Sequence, residues 1–290
     1  MLYKIKASGH ACFCTIMMFF FQVFKSLYTR VTVFSSRYLS VSTLMHSEVP
    51  TKKARLDMSI GTHNGTFHCD EVLAVWMLKT MPKYRDAKIV RTRDPESLAK
   101  CDIVVDVGAV FDHSSLRYDH HQRDFVDTYN SLDSTKPWRT KLSSAGLIFV
   151  HYCKEVVQSV MEKIASEQGR KLESSDHQVA LIADQIYENL IEEVDAVDNG
   201  ISVSDEPPKY KITTTISKRV GNLNPFWNVN ASDDQQMERF EKAMELVGEE
   251  FVDRVRYYQL AWLPAHSLVK EAVTKRFVYR LCLVWYACYL

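Results

Sequence analysis

Short apolar runs separated by helical patterns dominate residues 58–118. The runs at 58–62, 88–92, 102–107 and 116–118 have the length of buried strands, and one further strand is expected in the sheet. Between them, residues 70–80 show a helical apolar stripe that ends at Pro82, and 95–99 form a short helical stretch. Buried strands that alternate with helices indicate an α/β fold with a parallel sheet.

Longer helical periods follow in the second half of the chain. Apolar residues recur at a helical spacing through 144–165 and again through 176–198. A third helix is predicted to start at Ser232, where Gln235 completes a capping box, and to run towards Trp262 before Pro264 interrupts it. Residues 123–141 show no periodicity and are predicted to form a loop over the sheet edge. The fold class expected is therefore α/β, a parallel sheet with flanking helices.

The amino-acid composition is that of an ordinary globular protein and excludes few functional classes. Of the 290 residues, 46% are hydrophobic and 25% are charged, as in ordinary globular proteins. Basic and acidic residues balance at 36 each, so the chain lacks the global positive field of many nucleic-acid binders. Bound metal ions and local basic patches could still attract RNA. The seven cysteines contain no Cys-x2-Cys pair, which argues against a zinc ribbon or a disulfide framework and favours a reducing intracellular compartment.

Residues 1–57 differ from the rest and are predicted to be a targeting or disordered extension. Residues 1–47 contain basic, Ser and Thr residues but no acid, which is typical of a mitochondrial transit peptide. The apolar run 11–24 leaves a secretory signal or anchor open as an alternative, and an unprocessed extension is the third. The basic cluster 52–55 is compatible with nuclear import.

Candidate metal ligands follow the ends of several predicted strands. His63 follows the first strand, Asp106 lies near the end of the third, and Asp119-His120-His121 follows the fourth. Because the carboxyl ends of parallel strands meet at one edge, these side chains should come together there with His68 and Asp70. Carboxylates mixed with imidazoles suit Mn²⁺ or Mg²⁺, and two ions that share a carboxylate suit phosphoryl transfer.

Roles can be assigned within this set. Asp106 is the natural bridging ligand, since its two oxygens can hold two ions about 3.5–4 Å apart. His63 and His68 would hold one ion, and Asp70 and His120 the other. His121 would then donate to the substrate phosphate, and Asp119 would orient the adjacent histidine.

These residues resemble those of a known family. Asp119-His120-His121 resembles the naming motif of the DHH phosphoesterase superfamily, and 104–106 resembles its preceding strand motif. More narrowly, four segments resemble the melanocyte proliferating gene (Myg-type) family: 60–71, 118–123, 140–146 and 193–200. The resemblance implies a metal-dependent hydrolase, specifically a 3′→5′ RNA exonuclease of mitochondria (matrix) and nucleus (nucleolus). The superfamily's usual first motif is His-x3-Asp-x-Asp, whereas this chain has His63-x4-His68-x-Asp70, so the metal preference is open.

The last metal ligand is ambiguous from sequence. Asp195 and Asp198 lie three residues apart at the end of a predicted helix, and Asn199-Gly200 would stop it. Either could bind the metal. Asp195 is preferred, because the superfamily ligand usually lies just inside its element.

Substrate contacts can be proposed at three places, each with a simpler alternative. Ser143 and Ser144 precede a helix and could bind phosphate or merely cap it. Arg91 and Arg93 follow the second strand and could clamp phosphate or form surface ion pairs. Lys218-Arg219, with Phe226 and Trp227 nearby, could bind and stack single-stranded RNA, or the aromatic pair could belong to the core.

The resemblance also predicts the domain organisation. Residues 58–200 would form the metal-binding domain, 201–276 the helical start of a second domain, and 277–290 an atypical tail too short for a spanning helix. The family's substrate domain, with a Gly-Gly-His element, would follow residue 276 and is expected to be truncated here. Three functions remain open: a two-metal exonuclease acting on single-stranded RNA 3′ ends, a small-substrate phosphoesterase or pyrophosphatase, and a catalytically impaired truncated isoform.

Overall fold

The computed structural model describes residues 58–288, with side chains described for 58–276. The predictions for residues 1–57, and for the side chains of the tail, lie outside the described residues. No helix within the described part is long and apolar enough to span a membrane.

A five-stranded sheet forms the centre of the fold. Its strands are β1 (Ser59–Thr62), β2 (Lys88–Arg91), β3 (Ile103–Val105), β4 (Phe111–Asp112) and β5 (Arg117–Tyr118), in the order β2-β1-β3-β5-β4. All neighbouring pairs are parallel except β4 with β5. The predicted α/β class is confirmed, and β4 is the further strand expected. Three adjacent strands, β1, β3 and β5, therefore end at the same edge.

Helices cover the sheet and enclose most of the core. They are α1 (Cys69–Thr80), α2 (Pro95–Ala99), α3 (Tyr129–Leu132), α4 (Ser144–Glu167), α5 (Asp176–Ile186), α6 (Glu192–Asp198), α7 (Ile216–Gly221), α8 (Asp233–Tyr257) and α9 (Leu263–Cys288). Helix α1 is buried almost all round because it packs against both α4 and α8. The capping box at Ser232 is present and starts α8 as predicted.

Two π-helical segments change the predicted helix ends. Residues Tyr187–Ile191 join α5 to α6, so the predicted 176–198 helix is continuous but contains a wider turn. A second segment, Tyr258–Trp262, joins α8 to α9. The predicted interruption at Pro264 is wrong, because Pro264 occupies the second position of α9. Pro264 directly follows the wider turn, in which the N–H of Leu263 bonds to the carbonyl of Tyr258, and this altered bonding accommodates a residue without an N–H inside a continuous helix.

Residues 123–141 and the stretch after α6 contain structure that the sequence pattern missed. The predicted loop 123–141 includes α3, with Thr128 as its N-cap, and a β-bridge between Thr128 and Lys141. Helix α7 is only six residues long and begins at the N-cap Thr215. Helices this short lack two full turns of apolar periodicity, so periodicity cannot reveal them.

Candidate metal centre

The carboxyl ends of β1, β3 and β5 bring three of the predicted residues together. His63 follows β1, Asp106 follows β3, and His120 lies two residues beyond β5. All three are buried, with exposed fractions of 3–4%. The expected convergence at one sheet edge is therefore present.

Asp106 lies between two histidines. Its Oδ2 is 3.2 Å from Nε2 of His63, and its Oδ1 is 3.4 Å from Nε2 of His120. Its backbone has a φ of 58°, a left-handed conformation that is uncommon for residues other than glycine, while its N–H donates to the carbonyl of Tyr118. Strain of this kind persists where surrounding structure enforces it and is frequent at functional sites. The two carboxylate oxygens thus face opposite sides, as a bridging ligand requires.

Glu71 joins this cluster and was missed by the sequence analysis. Its Oε1 lies 2.9 Å from Nε2 of His63, and both of its oxygens accept from the backbone N–H of His68. Burial alone would lower the pKa of His63, but the hydrogen bonds with Asp106 and Glu71 outweigh it and raise the pKa to about 10. The sequence did contain a signal for Glu71. It lies three residues after His68, and the side chain at position N3 of a helix commonly hydrogen-bonds back to the backbone of the N-cap residue.

His120 has the contacts of a metal ligand. Its Nε2 lies 3.1 Å from Oδ2 of Asp198, 3.4 Å from Oδ1 of Asp106 and 3.7 Å from Oδ2 of Asp70. Despite these distances, neither ring nitrogen forms a hydrogen bond of acceptable geometry, and Oδ1 of Asp70 is also buried without a partner. Buried polar atoms without partners are costly, so atoms left in this way point to an additional ligand.

The structure separates Asp195 from Asp198. The Asp195 carboxylate is fully buried and accepts from the N–H and Oγ of Ser143, the N–H of Gly146 and the hydroxyl of Tyr187. Burial raises the pKa of Asp195 to about 7. The sequence preference for Asp195 as the metal ligand is therefore reversed. Asp198 lies beside His120 among the candidate metal ligands, while Asp195 accepts hydrogen bonds from the first residues of α4.

Ser143 and Ser144 hold carboxylates rather than a free phosphate site. Both side chains are fully buried. Ser143 donates to Asp195, whereas the Ser144 hydroxyl lies 3.0 Å from Oδ1 of Asp106 and its N–H donates to Oδ2 of Asp70. The predicted substrate contact at these serines is wrong, because no surface of either remains for a ligand. The N-terminus of α4 instead directs its positive dipole end and its free amides to the carboxylates of Asp70 and Asp195.

His121 occupies the exposed side of the cluster. Its Nδ1 lies 2.7 Å from Oδ1 of Asp119 and 3.6 Å from Oδ1 of Asp106, and its side chain is 58% exposed. The hydrogen bond with Asp119 raises the pKa of His121. Asp119 is itself fixed by the N–H of Ala109. The arrangement agrees with the predicted pairing, in which Asp119 orients His121.

The donor set fits divalent cations. Among the described residues, three groups have ligand atoms within 4.8 Å of one another: His63-His68-Glu71-Asp106, Asp106-His120-His121 and His68-Asp70-Asp198. Burial and the neighbouring charge of Asp106 hold the pKa of Asp70 well above its usual range. Bound cations would relieve the repulsion between the Asp70 and Asp106 carboxylates. They would also give a partner to the buried atoms of His120 and Asp70 that have no hydrogen bond. Oxygen and imidazole donors together suit ions such as Mn²⁺.

The two arginines after β2 have different environments. Arg91 donates from Nε to the carbonyl of His63 and from Nη2 to that of Gly65, and its guanidinium lies 4.8 Å from the ring of Phe240. Arg91 therefore holds the loop that carries His63 and is not a free phosphate clamp. Arg93 is exposed, and no hydrogen bond or ion pair engages it within residues 58–276.

Lys218 and Arg219 lie in α7, at the surface. Of the alternatives for the nearby aromatic pair, the core placement is wrong: Phe226 is 71% exposed and Trp227 is 98% exposed. Lys218 also lines a cavity of about 350 Å³ that His68 and Asp198 border. Lys218 thus borders the same cavity as two of the candidate metal ligands.

Comparison with known proteins identifies a family that matches most of the chain. A family model labelled MYG1_exonuc and described as an uncharacterised protein family (UPF0160) matches residues 59–281. No solved structure matches this chain.

Several curated relatives are similar over the same part of the chain. MYG1 exonuclease of Bos taurus is 51% identical over 240 residues, which is 82% of this chain and 60% of the relative. MYG1 exonuclease of Homo sapiens is 52% identical over 79% of this chain and 59% of its own length. The MYG1 protein of Dictyostelium discoideum is 41% identical over 76% of this chain and 63% of its own length. The chain thus spans about 60% of the length of these relatives.

Proposed function

The chain belongs to the MYG1 family (UPF0160), and from that membership and the metal cluster we propose that it is a metal-dependent phosphodiesterase that removes nucleotides from the 3′ end of RNA. The cattle and human relatives carry the name MYG1 exonuclease, which supports a nuclease-like function for the family. The RNA substrate and the 3′→5′ direction come from the sequence resemblance and are part of the proposal.

The position of Asp106 is the observation that carries this proposal. Each of its oxygens faces one histidine, His63 on one side and His120 on the other. Two nearby divalent ions could therefore share this carboxylate. His63, His68 and Glu71 would complete one site, and Asp70, His120 and Asp198 the other. Mn²⁺ is the proposed ion and Mg²⁺ the alternative, since both bind carboxylates readily.

The chemistry of such a centre suits phosphodiester hydrolysis. Bound divalent ions would supply charge to polarise the phosphorus–oxygen bonds and would lower the pKa of a coordinated water. The protein's own part is to hold its carboxylates close together, which the N-terminus of α4 does through Ser144. Asp119 orients the His121 imidazole, and the exposed side of that ring could contact a phosphate oxygen.

The test is hydrolysis of a 5′-labelled oligoribonucleotide with Mn²⁺ as the added metal. Wild-type protein should produce a ladder that shortens from the 3′ end, and Asp106→Ala should lose at least about a hundredfold in rate, because metal-ion terms contribute several kcal/mol. Glu241→Ala is the matched control, since Glu241 is an exposed acid on α8 outside the cluster. An Asp106→Ala protein that retains more than about a tenth of the control rate would exclude the bridging role.

A second substrate separates the exonuclease from the small-substrate alternative. Inorganic pyrophosphate would be offered under the same conditions. Rapid pyrophosphate hydrolysis with no shortening of RNA would replace the exonuclease proposal by the phosphoesterase one, because the same metal cluster can serve either.

The proposal includes action in mitochondrial and nuclear RNA processing. It is supported by the acid-free, basic composition of residues 1–47 and by the basic cluster at 52–55. Imaging of the full chain with a C-terminal fluorescent tag would test it. Deletion of residues 1–47 should remove the mitochondrial fraction, and signal confined to the secretory pathway would contradict the proposal.

A further inference from the structure

One segment of the chain differs in charge from everything around it. Residues 207–232 contain Lys209, Lys211, Lys218 and Arg219 but no aspartate or glutamate. The whole chain, by contrast, balances 36 basic against 36 acidic residues. This segment, which we name the basic segment, is therefore a local concentration of positive charge beside an acidic metal cluster.

The basic segment also exposes aromatic rings. Tyr210 is 76% exposed, Phe226 is 71% exposed and Trp227 is 98% exposed. Burial of a large aromatic side chain is normally favourable by a few kcal/mol, so leaving several on the surface of one segment needs a reason. Exposed rings interleaved with lysine and arginine are the combination that binds single-stranded nucleic acid, where bases stack on rings and phosphates meet cations.

Hydrogen bonds fix the basic segment to the metal-binding loop. Asn224 accepts from the N–H of Phe67 at 2.9 Å and donates to its carbonyl at 2.8 Å, so its side chain pairs with that residue's backbone. Phe67 directly precedes His68, which belongs to two of the three candidate metal groups. Trp227 follows Asn224 by three residues, a chain distance of at most roughly 11 Å. Phe226 and Trp227 thus lie close along the chain to the residue that contacts the metal-binding loop.

A cavity also lies between α7 and two of the candidate metal ligands. It measures about 350 Å³, and its lining includes His68, Asp198, Ser217 and Lys218. Lys218 therefore presents its charge to the same space that the metal cluster borders. A nucleotide phosphate in this cavity would lie between the metal side and a cation, with the following bases directed towards the exposed rings.

We propose that the basic segment is the track that binds the single-stranded nucleic acid behind the nucleotide being removed, through stacking on Phe226 and Trp227 and charge contact with Lys218. This inference rests on the proposed function for its biological meaning, but it can be tested without catalysis. The ligand class is a single-stranded polynucleotide, either RNA or DNA.

The experiment measures binding by fluorescence anisotropy in the presence of EDTA, so that no hydrolysis occurs. The probes are labelled oligouridylate and oligodeoxythymidylate of about 10 nucleotides. Trp227→Ala and Phe226→Ala should each weaken binding by roughly 5- to 100-fold, the loss expected for one stacked base. Because both side chains are exposed, neither change should disturb folding.

The charge contact has its own signature. Lys218→Ala should reduce the slope of log affinity against log salt by about 0.7, the value for one phosphate contact on a single strand. Tyr257→Ala and Lys171→Ala are the matched controls, since both residues are exposed and lie outside the basic segment. They should bind both probes as the wild type does.

Each outcome bears on the proposal. Wild-type protein that binds neither probe, or aromatic variants that bind as tightly as the controls, would overturn it. Tighter binding of the RNA probe would indicate contacts to the 2′-hydroxyl, and equal binding would indicate stacking and charge alone; both support the track. Wild-type protein that binds the probes but hydrolyses neither RNA nor bis(4-nitrophenyl) phosphate with Mn²⁺ would refute the proposed function while retaining the track.

Discussion

The adjacent serines at the start of α4 offer a sensitive test of how the metal cluster is held. Ser144 donates to Oδ1 of Asp106 at 3.0 Å, and Ser143 donates to Oδ1 of Asp195 at 2.7 Å. Both hydroxyls are fully buried, one residue apart on the same helix end. They differ in the carboxylate they hold, and only one of those carboxylates lies in the metal cluster.

The expected magnitude follows from these contacts. A hydrogen bond to a buried charged group contributes about 1.5–3 kcal/mol. Loss of a group that orients a metal ligand weakens affinity by about 10- to 100-fold, which corresponds to about 1.4–2.7 kcal/mol. The two ranges agree, so Ser144→Ala should reduce Mn²⁺ affinity by about 10-fold or more. Ser143→Ala should leave that affinity unchanged, because Asp195 keeps three donors and lies outside the cluster.

Calorimetric titration with Mn²⁺ and urea unfolding of metal-free protein would measure the two effects separately. Both variants should lose about 1.5–3 kcal/mol of unfolding free energy, since each removes a buried hydrogen bond to a carboxylate. Only Ser144→Ala should lose metal affinity. Equal Mn²⁺ affinity in both variants and the wild type would show that Asp106 needs no support from Ser144, and an equal loss in both would show a general effect of helix stability.

Three further predictions concern other parts of the molecule. His68→Ala should weaken Mn²⁺ binding by about 10-fold or more with the fold intact, and an unchanged Mn²⁺ titration would leave His68 only a structural role. Gly146→Ala should lower the unfolding free energy measured in urea by about 1–3 kcal/mol, because the added Cβ would overlap the Asp195 carboxylate. Gly221→Ala is the control, since Gly221 has open space around it and its substitution should not lower the unfolding free energy. Burial lowers the pKa of His151 to about 4, below its unfolded value of 6.5, so the unfolded chain binds more protons between these values and stability falls as pH falls through them. His151→Gln should remove about 1–2 kcal/mol of that fall, after allowance for solvent screening, and unfolding curves at pH 7 and pH 4.5 that shift equally in both proteins would contradict this.

Much of the fold was predictable because its signals are local. The strands β1, β2 and β3 and the helices α1 and α4 agree with their predicted positions to within two residues. The apolar residues of each helix or strand recur with the period of that element. This pattern is visible in the sequence without knowledge of which element packs against it. The continuity through Pro264 was missed because it depends on a π turn, which leaves no periodic signal in sequence.

For the candidate metal ligands, local sequence signals predicted which residues gather but not all of their side-chain contacts. Strand ends placed His63, Asp106 and His120 at one edge, since parallel topology alone brings such ends together. Glu71 was missed, and the role of Arg91 was left open between a phosphate clamp and a surface ion pair, because each role depends on a side-chain contact with a neighbouring loop.

The amino-acid sequence by itself determined the α/β class, the family and the residue types that gather at the sheet edge. The tertiary structure decided which of them face the cluster. Asp195 and Asp198 are three positions apart, and on a helix that spacing turns a side chain by about 60°. Only the packing of α6 against α4 determines which of the two directions points to His120 and which to Ser143. Rotation of a helix about its axis leaves the sequence pattern unchanged, so three-dimensional packing alone could make the assignment.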